Sequence, residues 1–148
     1  MTQISPVHIL LVEDNPDDLE LALRALKKAN LSDCIHVARD GEEALDFIFC
    51  EGPYAERGIK IIPKMVLIDL KLPKIDGLDV VRRIKSDPRT HAIPVVVFTS
   101  SREHTDLVKS YQLGINSYIA KPVDFEGFAA TVQQLGRYWL QLNRCPKS

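Results

Sequence analysis

The sequence predicts an α/β fold in which helices cover both faces of a five-stranded parallel sheet. Short apolar runs alternate with segments of helical periodicity, and this alternation occurs five times along the chain. Strands that alternate with helices pair in parallel through crossover connections. A length of 148 residues suits a single domain. We therefore expect one domain over residues 1–148.

Each strand and helix has its own local signal in the sequence. The five strands are predicted at residues 7–12, 34–39, 64–70, 94–99 and 116–120. Pro16 after Asn15 indicates the start of the first helix. The later helices are predicted at residues 42–49, 76–86 and 103–113 and from Asp124 onward.

The apolar character of the strands predicts their order in the sheet. Residues 10–12, 66–68 and 95–98 are apolar on both faces, which is typical of central parallel strands. The second strand alternates apolar and polar residues and the fifth is short, so both suit the edges. The order 2-1-3-4-5 satisfies these constraints and is the flavodoxin-like arrangement.

Two segments are longer than such a fold requires. Residues 51–63 form an extended connection, for which a lid and a tolerated surface insertion are equally good interpretations. The last helix is predicted to extend over residues 124–142, with an apolar stripe from Phe125 to Leu142. The first half of this stripe is best explained by core packing, and the second half is predicted to overhang the sheet.

Composition and charge exclude several classes of protein. Nineteen basic and twenty acidic residues give a net charge of -1, and no basic stripe points to nucleic acid. No apolar stretch is long enough to span a membrane, and the first residues do not resemble a signal peptide. The three cysteines (Cys34, Cys50 and Cys145) lack metal or disulfide spacing, which favours a reducing compartment. We expect a cytoplasmic protein.

The residues that could carry chemistry stand where the apolar runs end. Glu13 and Asp14 end the first run, Asp69 lies near the end of the third, and Thr99 and Lys121 end the fourth and fifth. Ligands of parallel α/β sheets bind outside the carboxyl ends of the strands. Any one of these residues alone is more simply a turn or cap former, but five matched positions in chain order predict a shared site.

These residue types fit phosphoryl transfer. Clustered carboxylates repel each other unless a cation lies among them, and hard oxygen ligands suit Mg²⁺. A carboxylate can act as a nucleophile and form an aspartyl-phosphate, and Asp69 on the central strand is the best candidate. Lys121 and Thr99 could stabilise the charge on the phosphoryl oxygens.

Four motifs make the chain resemble the receiver domain of two-component response regulators: ILLVEDNPDD, VLIDLKLPKIDG, VVVFTSS and YIAKP. The match covers nearly the whole chain. The resemblance implies these roles: Asp69 as phosphoacceptor, Glu13 and Asp14 as the acidic metal pocket, Mg²⁺ held by Asp14, Asp69 and the backbone carbonyl of Lys71, Thr99 and Tyr118 as a switch pair, and Lys121 as the phosphate contact. In the family, the bond before the proline that matches Pro122 is usually cis.

The resemblance also implies partners. A sensor histidine kinase would donate the phosphoryl group, and an unidentified protein would receive the signal. The long loop, the single-domain length and the extended last helix resemble more narrowly the small response regulators of cyanobacterial and bacterial phytochromes. Tyr118, Phe125 and residues 138–140 suggest a homodimer through the face of the fourth helix, fifth strand and fifth helix. The alternative is that these aromatics only cap the core.

Three other functions are weighed against this one. An aspartyl-phosphate phosphatase would usually carry a second Asp two residues after its nucleophile, where this chain has Lys71, so we expect no enzymatic turnover beyond self-catalysed phosphotransfer and autodephosphorylation. A nucleotide- or flavin-binding protein is disfavoured because phosphate-binding glycine motifs are absent. A phosphorylation-independent adaptor remains as an alternative, although the intact acidic and lysine positions argue against it.

Overall fold

The computed structural model describes residues 7–31, 35–56 and 62–143. The strands are β1 (Ile9–Val12), β2 (Ile35–Ala38), β3 (Met65–Ile68), β4 (Val95–Thr99) and β5 (Ser117–Ala120). The helices are α1 (Pro16–Lys28), α2 (Gly41–Phe49), α3 (Gly77–Ser86), α4 (His104–Gln112) and α5 (Phe125–Arg137). Each lies within two residues of its predicted bounds, except the last helix. A helix long and apolar enough to cross a membrane is not found among these residues.

The sheet has the predicted order, β2-β1-β3-β4-β5, and all of its strand pairs are parallel. Val12 lies beside Ala38 on one side and Ile68 on the other, so the first three strands end level with each other. The loops that follow the strands therefore meet along one edge. The flavodoxin-like fold predicted from the apolar runs is confirmed.

Alternate strand residues point to opposite faces and form two apolar cores. On one face, Leu10, Val12, Val66, Ile68, Val95 and Val97 pack with α2 and α3. On the other face, Ile9, Leu11, Met65, Leu67, Val96 and Phe98 pack with α1 and α5. Helix α4 contributes only Ser110 as a buried residue and leaves Val108 and Tyr111 exposed. The sheet thus holds its strand ends rigidly, while α4 is attached more lightly.

Side-chain caps explain where three helices begin. Asn15 accepts hydrogen bonds from the backbone of Asp17 and Asp18, Asp40 accepts from Glu43, and Asp124 accepts from Gly127. Such caps satisfy the unpaired N–H groups of a first helical turn. Asp124 is therefore the cap of α5 rather than its first residue.

The two longer segments differ from a simple loop and a simple helix. A short 3₁₀ turn at Gly52–Tyr54 follows α2, and residues 57–61 of the predicted connection lie outside the described residues. Helix α5 ends at Arg137 and continues as a π turn over Tyr138–Leu142. Phe128, Val132 and Leu135 are buried, but Phe125 and Leu142 are 73% exposed, so core packing does not explain the ends of the predicted stripe. Cys50 is a free thiol; Cys34 and Cys145 lie outside the described residues.

Candidate functional site

Four of the predicted site residues meet at the carboxyl edge of the sheet. The Lys121 Nζ donates to Glu13 Oε1 at 2.5 Å and to Asp69 Oδ2 at 2.7 Å. The Thr99 hydroxyl donates to the other Asp69 oxygen, Oδ1, at 2.7 Å. All four side chains belong to buried residues. Residues from the ends of β1, β3, β4 and β5 therefore form one connected cluster.

Lys121 is the electrostatic centre of this cluster. Its ammonium also donates to Asp18 Oδ2, in the first turn of α1, at 2.7 Å. Burial by itself lowers the pKa of Lys121, but the hydrogen bonds that its ammonium donates to Asp18, Asp69 and Glu13 outweigh burial, and the net pKa is raised. Lys121 is therefore a fixed positive charge, and all three of its N–H donors are directed at carboxylates.

Glu13 is held by two partners. Besides Lys121, its second oxygen, Oε2, accepts a hydrogen bond from the Asn15 backbone N–H at 3.2 Å. Burial raises the pKa of Glu13, and the hydrogen bond from Lys121 offsets only part of that rise. The carboxylate is thus kept in a weakly hydrated position that a cation would stabilise.

The oxygen atoms at this edge suit a metal ion that binds few protein ligands. Asp14 follows Glu13 and is exposed at the rim of the edge, and the Lys71 backbone N–H donates to Asp69 Oδ1 at 3.3 Å. Within the described residues, no three His, Cys, Asp or Glu side chains form a group that could hold a metal ion. Mg²⁺ is typically held by one or two carboxylates and keeps several waters, so carboxylate and carbonyl oxygens at this edge suit it chemically.

Two glycines fix the loop between Asp69 and α3, residues 69–77. A Cβ at Gly77 would lie 2.5 Å from the Leu70 Cα and 2.6 Å from the Asp69 carbonyl oxygen. A Cβ at Gly41 would lie 2.2 Å from the carbonyl oxygen of Ile75. Hydrogen bonds from the Gly77 N–H to the Leu70 carbonyl and from the Gly41 N–H to the Pro73 carbonyl close these contacts. Asp69 is therefore positioned by main-chain packing.

A second hydrogen-bonded chain leads from Asp69 to the surface. The Thr99 hydroxyl accepts from the Ser101 N–H at 3.2 Å, and the Tyr118 hydroxyl donates to the Ser101 carbonyl at 3.2 Å. The half-buried Tyr118 ring packs against the core beside α4. Burial raises the pKa of Tyr118, so its hydroxyl stays protonated as a donor. Tyr118 and Asp69 are thus linked through one loop, residues 99–101.

One expectation from the family resemblance is wrong in this structure. No peptide bond among the described residues is cis, so the bond between Lys121 and Pro122 is trans. Lys121 nevertheless reaches Asp69. Strand β5 ends at Ala120, and the backbone bond from the Lys121 N–H to the Thr99 carbonyl at 2.8 Å continues the strand pairing through Lys121 itself.

Asp18 is the residue at the site that the sequence analysis did not identify. Two carboxylates in the first turn of α1 are explained equally well by the positive end of the helix dipole. The signal that distinguishes them is helical position, because Asp18 lies one residue further along the turn than Asp17 and faces the strand ends. The sequence does not show that Asp18, rather than Asp17, contacts Lys121, because that requires the position of Lys121 in the fold.

Comparisons with known proteins agree with this geometry. The response regulator receiver domain family matches residues 9–133. The probable methanogenesis regulatory protein FilR2 of Methanothrix harundinacea is 43% identical over 95% of this chain and 88% of its own. Response regulator Rcp1 of Synechocystis is 36% identical over 95% of this chain and 94% of its own.

Solved structures extend the comparison. The phosphorylated cyanobacterial phytochrome response regulator RcpA has a TM-score of 0.88 and 37% identity, and it covers 96% of this chain and 99% of its own. The Mn²⁺-bound form of Rcp1 has a TM-score of 0.87 and 35% identity, and it covers 95% of this chain and 99% of its own. The predicted similarity to phytochrome response regulators is confirmed. This chain belongs to the response regulator receiver domain family and is of the phytochrome-response-regulator type.

Proposed function

We propose that this receiver domain accepts a phosphoryl group from a sensor histidine kinase onto Asp69. The observation that carries the proposal is the pair of 2.7 Å hydrogen bonds that hold the two Asp69 oxygens, one from Thr99 and one from Lys121. An Asp69 oxygen attacks the phosphorus, and the bond from phosphorus to the kinase histidine nitrogen breaks. Thr99 and Lys121 are then placed to stabilise charge on the transferred oxygens.

A divalent cation, most simply Mg²⁺, belongs to this proposal. Asp14, Asp69 and the backbone carbonyl of Lys71 would hold it, with Glu13 completing the acidic pocket. When bound, it supplies positive charge close to the phosphoryl oxygens. The Mn²⁺-bound form of the similar regulator Rcp1 supports a divalent cation, and the oxygen donors at this edge favour Mg²⁺.

The signal leaves the site through Thr99 and Tyr118. A phosphoryl group on Asp69 adds roughly -1.5 to -2 of charge and three acceptor oxygens, so the Thr99 hydroxyl turns from the carboxylate to a phosphoryl oxygen. The Ser101 N–H follows Thr99, and the Ser101 carbonyl carries the Tyr118 contact with it. The light attachment of α4 lets the face formed by α4, β5 and α5 respond.

The kinase partner is proposed to be a phytochrome-type sensor, because phytochrome response regulators are among the similar solved structures. The protein acts as a phosphoacceptor with only self-catalysed transfer and hydrolysis. Lys71, two residues after Asp69, supplies no carboxylate for an acid–base role. The signal then passes to a downstream protein by contact.

The test uses acetyl phosphate or phosphoramidate with Mg²⁺, and the phosphorylated fraction is measured by intact mass. We expect wild-type protein to gain one phosphate and Asp69→Asn to gain none. Asp79→Asn is the matched control, since Asp79 is an exposed carboxylate on α3 that pairs with Arg82; it should behave as wild type. Equal uptake by Asp69→Asn would overturn the assignment.

We also propose that a second copy of the chain binds the face of α4, β5 and α5. Tyr111, Tyr138 and Leu142 leave between 48% and 73% of their surface exposed, and closed two-fold dimers are the commonest homo-oligomers. Sedimentation should show a dimer for the full chain and a monomer for a chain truncated before Tyr138, with circular dichroism as the control for folding. A full-length monomer would overturn this part of the proposal.

A further inference from the structure

Lys121 has one more carboxylate partner than the proposed chemistry needs. Its three N–H donors are used by Glu13, Asp18 and Asp69, at 2.5, 2.7 and 2.7 Å. No donor is therefore free for a phosphoryl oxygen, so phosphorylation of Asp69 requires Lys121 to release or share a donor.

The three carboxylates differ in how much each is destabilised when its hydrogen bond to Lys121 breaks. The Glu13 and Asp69 side chains are 6% and 9% exposed, whereas the Asp18 side chain is 28% exposed. Water can solvate Asp18 after it separates from Lys121, but a buried carboxylate without its cation is strongly destabilised. Glu13 and Asp18 are the two partners that remain carboxylates once Asp69 is phosphorylated, and Asp18 is the one that Lys121 can release at the lower cost in free energy.

We propose that Asp18 is a positioning residue that holds the Lys121 ammonium in the unphosphorylated protein and competes with the phosphoryl group for it. The inference rests on the proposed function of Asp69 and deepens it. The Asp18–Lys121 bond stabilises the unphosphorylated state selectively, because the phosphorylated state needs that donor. Asp18 thereby sets how much phosphoryl donor is needed to fill the site.

The position of Asp18 in α1 suits this competition. Asn15 caps the helix and fixes the Asp17 and Asp18 N–H groups at 2.9 and 3.1 Å from its side chain. Asp18 therefore approaches Lys121 from a rigid helix turn and not from a loop. Its neighbour Asp17 is exposed. Asp17 carries the same charge in the same turn, but among the described residues only Glu13, Asp18 and Asp69 form ion pairs with Lys121.

This pair of neighbours supplies a matched experiment. Asp18→Asn and Asp17→Asn change the net charge and the helix-dipole interaction alike, but only the first weakens a bond to Lys121. We expect Asp18→Asn to lower the half-saturating concentration of acetyl phosphate about fivefold, since a hydrogen bond to a charged acceptor is about twice as strong as one to a neutral acceptor. Asp17→Asn should match wild type, and Asp18→Glu, which keeps the charge, should return towards wild type.

The donor must also be varied, because removing an acidic residue reduces repulsion of any anionic donor. Phosphoramidate carries less negative charge than acetyl phosphate, so a repulsion effect would shrink with it, whereas competition for Lys121 predicts the same factor with both donors. After the donor is removed, the lifetime of the phosphorylated Asp18→Asn protein should be at least that of wild type. Urea unfolding of each variant verifies that it is folded.

The possible results separate the inference from the proposed function. If wild type and Asp18→Asn both take up no phosphate, the proposed function of Asp69 fails. If both take up phosphate with the same half-saturation, or if Asp18→Asn needs more donor, the inference about Asp18 is overturned while the function of Asp69 stands. An effect seen equally in Asp17→Asn, or with acetyl phosphate alone, also overturns it.

Discussion

Two lysines lie at opposite ends of the same pair of strands, β4 and β5. Lys121 follows β5 at the carboxyl edge, and its ammonium donates to three carboxylates. Lys85, near the end of α3, reaches the segments that precede β4 and β5. Its ammonium donates to the carbonyls of His91 and Ile93 and to the Asn116 side chain at 3.0, 2.7 and 3.1 Å.

Each ammonium makes three hydrogen bonds, yet the acceptors give the two ends different properties. Burial lowers the pKa of Lys85, and its neutral acceptors do not offset this effect. The carboxylates around Lys121 raise the pKa of Lys121 despite burial. The Lys85 contacts connect two loops to a helix through neutral acceptors, so they create no cluster of negative charge. The Lys121 contacts leave an excess of negative charge at an edge reachable by solvent. The number of hydrogen bonds is equal, but only the second arrangement responds to an arriving ion or phosphoryl group.

The largest expected difference between the two ends is in phosphorylation. Lys121→Met should slow phosphate uptake from acetyl phosphate about 100-fold, the typical cost of removing one stabilising donor from a reacting centre. Lys85→Met should leave uptake within about twofold, because its contacts lie at the other end of the strands. Intact mass against time measures both rates, and equal rates for the two variants would contradict this assignment.

The next difference is in stability. Lys121→Met leaves Glu13 and Asp69 buried without their cation and should lower the free energy of unfolding by about 3 kcal/mol at pH 7. Lys85→Met removes bonds to neutral acceptors at a half-buried position and should cost about 1 kcal/mol. Urea unfolding measures both values, and a larger loss for Lys85→Met would invert the comparison.

The pH dependence of that loss gives a further check within the same experiment. Burial already raises the pKa of Glu13, and Lys121 offsets part of that rise. Without Lys121, the Glu13 pKa lies further above its unfolded value, so the folded protein binds more protons than the unfolded chain as the pH falls. The penalty is present above the folded pKa and is relieved below it. The loss caused by Lys121→Met should therefore be smaller at pH 5 than at pH 7.

A smaller effect on stability is expected when a carboxylate is placed beside Lys85, at the amino end of β4 and β5, as carboxylates surround Lys121 at the other end. Asn116→Asp places a carboxylate where the Asn116 oxygen now accepts from both Lys85 and the Val95 backbone. Charge-assisted bonds are stronger, but Asn116 is exposed, so we expect stability to rise by only about 0.5 kcal/mol. The same substitution in a Lys85→Met background should give no gain, and a gain there would show that the pair is not its cause.

The smallest expected difference between Lys85 and Lys121 is in their titration, and it can be measured in the wild-type protein. The Cε resonances of the lysines, followed by NMR through alkaline pH, should show Lys85 titrating below the ordinary lysine value of about 10.4 and Lys121 above it. Coincident midpoints for Lys85 and Lys121 would mean that the acceptors do not distinguish the two ends.

Much of the fold follows from short-range patterns. The doubly apolar runs identify β1, β3 and β4 as central strands, and parallel pairing then brings Glu13, Asp69, Thr99 and Lys121 to one edge. Contacts that depend on side-chain direction could not be predicted in this way. In the sequence alone, Asp18 is only an acidic residue in the first turn of a helix, and its contact with Lys121 depends on how the chain folds. The exposure of Phe125, the first residue of α5, could not be told from its place in an apolar stripe. The trans bond before Pro122 was missed because a family tendency was applied to one chain.

The glycine contacts around the loop of residues 69–77 determine where this domain can change. Because Gly41 and Gly77 hold the loop through main-chain atoms at distances that exclude a Cβ, its geometry owes little to its own exposed side chains. Lys71, Lys74 and Asp76 are exposed there and are open to substitution without displacing Asp69. A mutant library screened for phosphate uptake should therefore retain glycine at positions 41 and 77, while the exposed positions 71, 74 and 76 accept many residue types. This loop can alter the surface that a partner meets while the phosphoryl chemistry beneath it stays constant.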